Sequence, residues 1–393
     1  MKIAMVFDGL QVGGIERVGV DYVSLLENIG HDVEVVNLNP KHREFETEFR
    51  NKINVKHYYF PRKLCGEQYA QLIKQNFMGR VLYPIISILL NCYIWIAKVL
   101  FRLKNRQRYD IVIAFSGHFN DLTFVAHNFL KSKKKMAWLH GALYGYLLIS
   151  DGYYNLYKKI GNLVCLVDDA QDEALIYNHN TTLRINKLYN PTFIADKEIN
   201  IKNVEKLKRK YGNFLLMVAR FEYPHKDHYT VCKALEILRR EFSDEVQLLL
   251  IGSGPEEAAV REYVKEKHLE KYIHFLGTKF NVQDYYTAAR LLVHASVAGE
   301  GLPTVQLEAM AYGLPQVVTD SKVGPREILG NNEYGLLSKV KDPYDMAKQI
   351  HKMLNDNALY QHYVKKSMER IKDFQPDAIQ RDLEKILLEV MER

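Results

Sequence analysis

Two carboxylates eight residues apart, Glu300 and Glu308, lie in the segment GEGLPTVQLEAMAYGLP, residues 299–315. Pro303 suits the first turn of a helix over residues 304–312, which leaves Glu300 in the loop before it and Glu308 about one turn inside. A helix start offers unpaired amides and the positive end of its dipole, a ready place for an anion. Gly299 and Gly301 carry no side chain, so a phosphate or sugar can approach the backbone closely. The pattern predicts an amide cluster facing a diphosphate, with a carboxylate on each side to accept hydrogen bonds from hydroxyls. A lone pair of glutamates at this spacing would be an ordinary charged loop and surface helix; the glycines and the proline argue otherwise.

A second cluster is MVARFEYPHKD, residues 217–227. Arg220 emerges at the carboxyl end of a strand, where ligands bind in open α/β sheets, and Lys226 follows near a helix start. Together they can hold both phosphates of a departing diphosphate, although such a pair in isolation is usually solvated surface. In QVGGIERV, residues 11–18, Gly13 and Gly14 stand at a strand-to-helix junction that admits a phosphate. It is not a GxGxxG fingerprint, so nicotinamide binding is not supported. In WLHGALYGY, residues 138–146, His140 ends a strand beside Gly141, placed either structurally or to meet a sugar hydroxyl. IGSGP, residues 251–255, and FLGTKF, residues 275–280, bring Gly252, Gly254 and Gly277 to the edge of a sheet, where a base can be read.

The elements that must position these residues follow from hydropathy. Strand-length apolar runs at residues 2–7, 32–38, 55–59, 111–115, 136–140 and 163–167 alternate with helical stretches. After Pro191 the pattern restarts at 214–219, 246–251, 273–276, 291–294 and 316–319. Near-continuous β-branched runs between helices predict parallel sheets covered on both faces, hence two doubly wound domains. The expected division is a domain over 1–191, a second over 192–373, and a helix over 374–393 that crosses back to the first. Tyr189-Asn190-Pro191 supplies the hinge entry, since the residue before a proline is driven out of helix.

Residues 81–101, VLYPIISILLNCYIWIAKVLF, are long enough to span a bilayer, with Arg102, Lys104, Arg106 and Arg108 just beyond. A span would put the two halves of the first sheet on opposite sides of a membrane. The remaining readings are an apolar helix packed on the sheet, or an interfacial helix with its apolar face in lipid and its basic end on anionic headgroups.

Length supports two domains: the chain has 393 residues, 47% hydrophobic and 26% charged. A net charge of +7 suits a phosphate-bearing partner or an anionic membrane surface, and no nucleic-acid motif appears. Cys65, Cys92, Cys165 and Cys232 are scattered, which argues against a disulfide framework or zinc site and for a reducing compartment. The opening MKIAMVFDGL reads as a first strand and not as a signal peptide.

Taken in order, these motifs, closing with DSKVGPREIL and YGLL near residues 320–329 and 334–337, resemble glycosyltransferase family 4, retaining enzymes of GT-B fold. The resemblance implies two Rossmann-like domains facing each other across a cleft, and transfer of a hexose or N-acetylhexosamine from a nucleotide sugar, by the family's habits a UDP-sugar. The acceptor would be a lipid-linked glycan or polysaccharide of the cell envelope. At matching positions Arg220 and Lys226 would bind the donor diphosphate, Glu300 the donor sugar and Glu308 the ribose. Gly301, Leu302 and Pro303 would line the phosphate turn, Gly14 would approach from the other domain, and His140 would contact the transferred sugar. Neither a metal nor another cofactor is expected, since fixed cations can supply the charge. The acceptor is expected near residues 13–17, 118–121 and 140–146, and the protein at the inner face of the cell membrane. Two departures from the family pattern are Ala295-Ser296 where Pro-Ser is common, and Lys322 where a GGxPE element would begin with glycine. The competing readings are a nucleotide-sugar epimerase or hydrolase of the same fold, and a non-catalytic partner subunit of another transferase.

Overall fold

The structure, a computed structural model, describes the chain apart from residues 12, 51, 76, 142, 144–145, 147–149, 168–182, 193–197, 280, 298–299, 322–323 and 393. It divides into two compact units, Met1–Pro191 with Pro376–Arg393, and Thr192–Gln375.

The first unit is built on β1 (Lys2–Phe7), β2 (Asp32–Asn37), β3 (Asn54–His57), β4 (Arg108–Ala114), β5 (Lys131–Leu139), β6 (Asn162–Cys165) and β7 (Arg184–Lys187). They form one parallel sheet in the order β3-β2-β1-β4-β5-β6-β7. Alternation along β1 decides which layer each residue feeds. Ile3, Met5 and Phe7 join one apolar core, Ala4 and Val6 the other. The Ile3 face is covered by helices Gly14–Asn28 and Pro376–Glu392, the latter burying Ile379, Leu383, Ile386, Leu387 and Val390. The Ala4 face is covered by Phe119–Ala126 and Asp151–Ile160.

The second unit repeats the plan with β8 (Phe214–Val218), β9 (Gln247–Ile251), β10 (Ile273–Phe275), β11 (Leu291–His294), β12 (Gln316–Thr319) and β13 (Leu336–Ser338). The order is β10-β9-β8-β11-β12-β13, again parallel. In each sheet the strand order reverses at one place, between β1 and β4 and between β8 and β11. Adjacent crossovers leave such a switch point in opposite directions, and a crevice opens above the carboxyl ends of the two strands.

Strands β7 and β13 have no counterpart among the apolar runs of the sequence. Both are sheet edges. β7 reads RINK and β13 is only three residues long, so neither carries the continuous apolar signature of a central strand.

The apolar segment forms a helix, Phe77–Lys104, of 28 residues. Its inner stripe, Ile94, Ala97 and Phe101, packs on the first core. Leu82, Ile85, Leu89, Tyr93, Ile96 and Leu103 recur at helical spacing on the opposite side, each 43–65% exposed. Only 6% of its most apolar stretch is buried, so the helix packs on the sheet by one narrow stripe and leaves the rest of its apolar surface uncovered among the described residues. A single crossing is also incompatible with the fold: β1 to β3 precede this helix and β4 to β7 follow it within one sheet.

The Pro376–Glu392 helix completes the core on the Ile3 face, and Leu383 within it is fully buried. Leu383→Ala should therefore cost roughly 2–5 kcal/mol in urea-induced unfolding. A loss below about 0.5 kcal/mol would mean that the helix contributes little to the first unit.

Candidate functional site

At the switch point of the second sheet, three polar side chains converge. β11 ends in His294, and the chain runs through Ala295 and Ser296 to Glu300. β8 ends at Val218 and leads through Arg220 to Lys226. The Lys226 loop is tied down on both sides. Its amide donates to the Glu222 carbonyl at 2.8 Å, and the Asp227 amide donates to the Ala295 carbonyl at 2.8 Å. Asp227 also caps the following helix, accepting from the Thr230 amide at 3.1 Å. The Lys226 ammonium is thereby delivered to the Glu300 carboxylate, with which it forms an ion pair. His294 Nε2 lies 3.4 Å from a Glu300 oxygen and 3.4 Å from Lys226 Nζ.

The electrostatics of this trio are dominated by burial. Burial alone raises the Glu300 pKa, but the His294 hydrogen bond and the Lys226 ammonium outweigh it and hold the carboxyl at about 2. Burial, with the charge of Lys226, moves His294 downward against the pull of Glu300. The imidazole is therefore neutral near pH 7 and donates from Nε2 to the carboxylate. Its Nδ1 is buried with no hydrogen-bond partner among the described residues. Glu300 is a fixed anion held by one cation and one neutral donor, on the edge of a turn that leads into helix Thr304–Ala311.

Pro303 is found one residue earlier than a first-turn position. Its ψ of 112° is extended, so it caps the Thr304–Ala311 helix instead of lying within it. Gly301 and Leu302 form the turn, which packs backbone against backbone on the start of helix Gly324–Leu329: a Cβ at Gly324 would collide with the Gly301 carbonyl. Glu308 lies one turn into the helix and accepts from the Tyr286 hydroxyl at 2.9 Å. Gly299 and Lys322 are outside the described residues, as are 142, 144 and 145 of the expected acceptor stretch.

Arg220 is not drawn into the trio. Its guanidinium pairs with Glu222 at 2.6 Å, and its side chain is 80% exposed. Gly252 and Gly254 have a structural cause that the sequence reading did not anticipate. A Cβ on Gly252, at a φ of 141°, would strike the Ala219 carbonyl, and one on Gly254 would crowd the Phe221 backbone. Both glycines let the IGSGP loop lie directly on the Arg220 loop. Gly277 faces open space at a φ of 66°.

In the first unit, Gly14 opens helix Gly14–Asn28 with nothing near its Cα face. His140 donates from Nε2 to the Phe115 carbonyl at 2.6 Å, which fixes its tautomer. Burial lowers its pKa to about 4, so it is a neutral acceptor at Nδ1 and not a proton donor near neutrality. A second cluster occupies this sheet's switch point. Asp8, directly after β1, accepts from His118 Nδ1 at 2.9 Å and from the Asn120 amide. Its own backbone amide donates to Ser116 Oγ at 3.0 Å, beyond the end of β4.

Asp8 and His294 were missed by the sequence reading. The available signal was position: each stands at the carboxyl end of a switch-point strand, a place that requires the strand order to be known first.

The chain matches the family of group 1 glycosyltransferases (Glycosyl transferases group 1) over residues 198–370. It is 32% identical over 201 residues to the N-acetylgalactosamine-N,N'-diacetylbacillosaminyl-diphospho-undecaprenol 4-alpha-N-acetylgalactosaminyltransferase of Campylobacter jejuni, covering 51% of this chain and 53% of that one. The chain thus spans about half the length of that curated relative. An uncharacterized glycosyltransferase of Haemophilus influenzae is 25% identical over 92% of each chain. Among solved structures, Anabaena Alr3699/HepE in complex with UDP superposes with a TM-score of 0.74 at 18% identity, covering 99% of this chain and 100% of that one. The fold is GT-B, with two parallel-sheet α/β domains.

Glu300 ionises at about 2 in the folded chain against an ordinary value of 4.5. The unfolded chain therefore binds more protons in that interval, and the stability due to this carboxylate is complete above about pH 4.5 and drains as pH falls toward 2. Glu300→Gln should flatten the acid limb of the stability curve, measured by urea unfolding from pH 5 to pH 2.5. An acid limb as steep as the wild type's would contradict the ion pair.

Proposed function

We propose that this chain is a retaining glycosyltransferase of family 4, which moves a hexose or N-acetylhexosamine from a UDP-sugar to a lipid-linked or polysaccharide acceptor without a metal ion. The observation that carries this reading is the Lys226–Glu300–His294 trio at the switch point of the second sheet, against the turn that starts a helix. It is supported by the match to group 1 glycosyltransferases, by a neighbour of the same fold that holds UDP, and by a relative named for a diphospho-undecaprenol-linked glycan.

In the structure Glu300 is the counter-ion of Lys226. An arriving donor diphosphate offers that ammonium a second anion, and the turn at Gly301 and Leu302 offers amides. The carboxylate is then freed to accept hydrogen bonds from hydroxyls of the donor sugar. As the bond between the anomeric carbon and the phosphate oxygen breaks, its electron pair stays on the diphosphate. Charge grows where a fixed cation already stands, which favours the transition state over the ground state. The acceptor hydroxyl attacks the anomeric carbon from the face that the diphosphate leaves, and its proton passes to a phosphate oxygen.

The exposed stripe of the Phe77–Lys104 helix adds the setting. Leu82, Ile85, Leu89, Tyr93, Ile96 and Leu103 lie on one side, and Arg102 and Lys104 occupy the last turn. An apolar stripe with a basic end is the composition of a helix lying in the surface of an anionic membrane. We assign that surface as its partner, at the cytoplasmic face, where nucleotide sugars are available.

A thermal-shift screen should show UDP raising the melting midpoint more than GDP or ADP, since a ligand of the folded state alone stabilises it. Lys226→Ala, assayed in EDTA beside the wild type, should lower turnover by about 10²-fold or more while the fold survives. Near-normal turnover of that variant, or wild-type activity abolished by EDTA and restored by Mn²⁺, would sink the mechanism.

Vesicle flotation addresses the helix. Binding to anionic vesicles, weakened by Ile85→Glu with Leu89→Glu, is the expected result. A wild-type chain that ignores such vesicles and sediments as a dimer would assign the stripe to a second copy instead.

A further inference from the structure

Glu300 and Glu308 each accept a hydrogen bond from a neutral donor, and both donors come from one stretch of chain. His294 ends β11 and serves Glu300. Tyr286 stands eight residues earlier, in the short helix Gln283–Ala288, and serves Glu308. The spacing of the two donors thus matches the spacing of the two carboxylates.

Tyr286 is clamped from several sides. Its side chain is buried in an apolar cluster with Leu216, Leu249 and Ala309. Its ring stacks on that of Tyr312, with centroids 5.8 Å apart and planes within 14° of each other. Tyr312 ends the helix Thr304–Ala311, which carries Glu308. The short helix is itself pinned at its start. Asp284 accepts from the Asn200 amide at 2.9 Å and from Asn203 Nδ2 at 2.8 Å, at the first turn of helix Ile201–Tyr211. With the ring held this way, the direction of the hydroxyl is fixed, and it donates to Glu308 at 2.9 Å.

That bond has a consequence for the carboxylate. A glutamate on a helix surface spreads over several rotamers, and a ligand that needs one of them must bear the entropy of selecting it. A hydrogen bond from a fixed hydroxyl to an ionised oxygen selects the rotamer beforehand. Burial first, and then the charge of Glu308, push the Tyr286 hydroxyl well above the ordinary phenol range, so it stays a donor at every working pH. Glu308 is only half-buried, so a carboxylate steadied from the core side still reaches the surface of the second unit.

We propose that Tyr286 is a positioning residue for the nucleoside of the donor: its hydroxyl aims Glu308 at the ribose 2′- and 3′-hydroxyls and so sets a preference for a ribonucleotide over a deoxyribonucleotide. The assignment rests on the donor reading above. It gives the two carboxylates separate holders, with His294 acting on the one that meets the sugar and Tyr286 on the one that meets the nucleoside. A residue that merely tied two helices together would affect every nucleotide alike, whereas one that aims Glu308 affects only nucleotides with hydroxyls for Glu308 to accept from.

The test is isothermal titration calorimetry of the full chain with UDP and with 2′,3′-dideoxy-UDP. The wild type should bind UDP about tenfold or more tightly than the dideoxy analogue, as hydrogen bonds to a charged group imply. Tyr286→Phe keeps the ring and its stacking and removes only the hydroxyl. It should weaken UDP by about fivefold and leave the dideoxy analogue at its wild-type affinity. In a Glu308→Gln background the same substitution should change neither, since the two residues act as one unit. A Tyr286→Phe chain that keeps the wild-type preference, or that loses affinity for both nucleotides equally, would overturn the assignment. So would a wild type that does not distinguish the two nucleotides. A wild type that binds neither would overturn the donor reading itself, and the assignment with it.

Discussion

A carboxylate as deeply buried as Glu300 is tenable only with partners, because removing an anion from water costs several kcal/mol unless its charge is met. Lys226 and His294 meet it, and much of the second unit can be read as the means of bringing them there. Two parallel strands adjacent at a switch point deliver two loops to one edge. The capped helix after Asp227 and the backbone ties to Glu222 and Ala295 keep the lysine from straying. At β12, Thr319 Oγ1 accepts from the Ser296 amide at 2.8 Å, so the glutamate loop is anchored from the other side as well. Ser296, which follows Ala295, is fixed through the Thr319 and Ser321 hydroxyls, with no proline before it.

Much of this was legible from residue order. Burial of β1 and β8 on both faces follows directly from their continuous apolar runs, and the E-x7-E segment announces a loop followed by a helix. What was not legible depends on neighbours. Arg220 reads as a phosphate ligand in one dimension, yet its nearest anion in the fold is Glu222, two residues on. Gly252 and Gly254 read as openings for a ligand, whereas their freedom is consumed by contact with the Arg220 loop. Asp8 and His294 are ordinary polar residues at the ends of strands until the strand order makes those ends adjacent. The edge strands β7 and β13 escape notice because an edge strand does not need the two apolar faces that betray a central one.

The Phe77–Lys104 helix shows the same limit from the other side. Hydropathy identifies an apolar helix, but which stripe remains uncovered is decided by the packing of Ile94, Ala97 and Phe101 on the first core. Helical period then forces Ile85, Leu89 and Ile96 outward. The exposure is a geometric remainder and not a property of composition.

The first unit borrows its last helix from beyond the second. Residues 376–393 leave the ribosome only after every residue of the second unit has been made, and they supply five buried side chains to the older core. During synthesis the younger unit can close while the older one still shows water an uncovered patch over β5 and helix Gly14–Asn28. The chain therefore matures out of order, and a premature stop anywhere in the second half leaves the first half unfinished too.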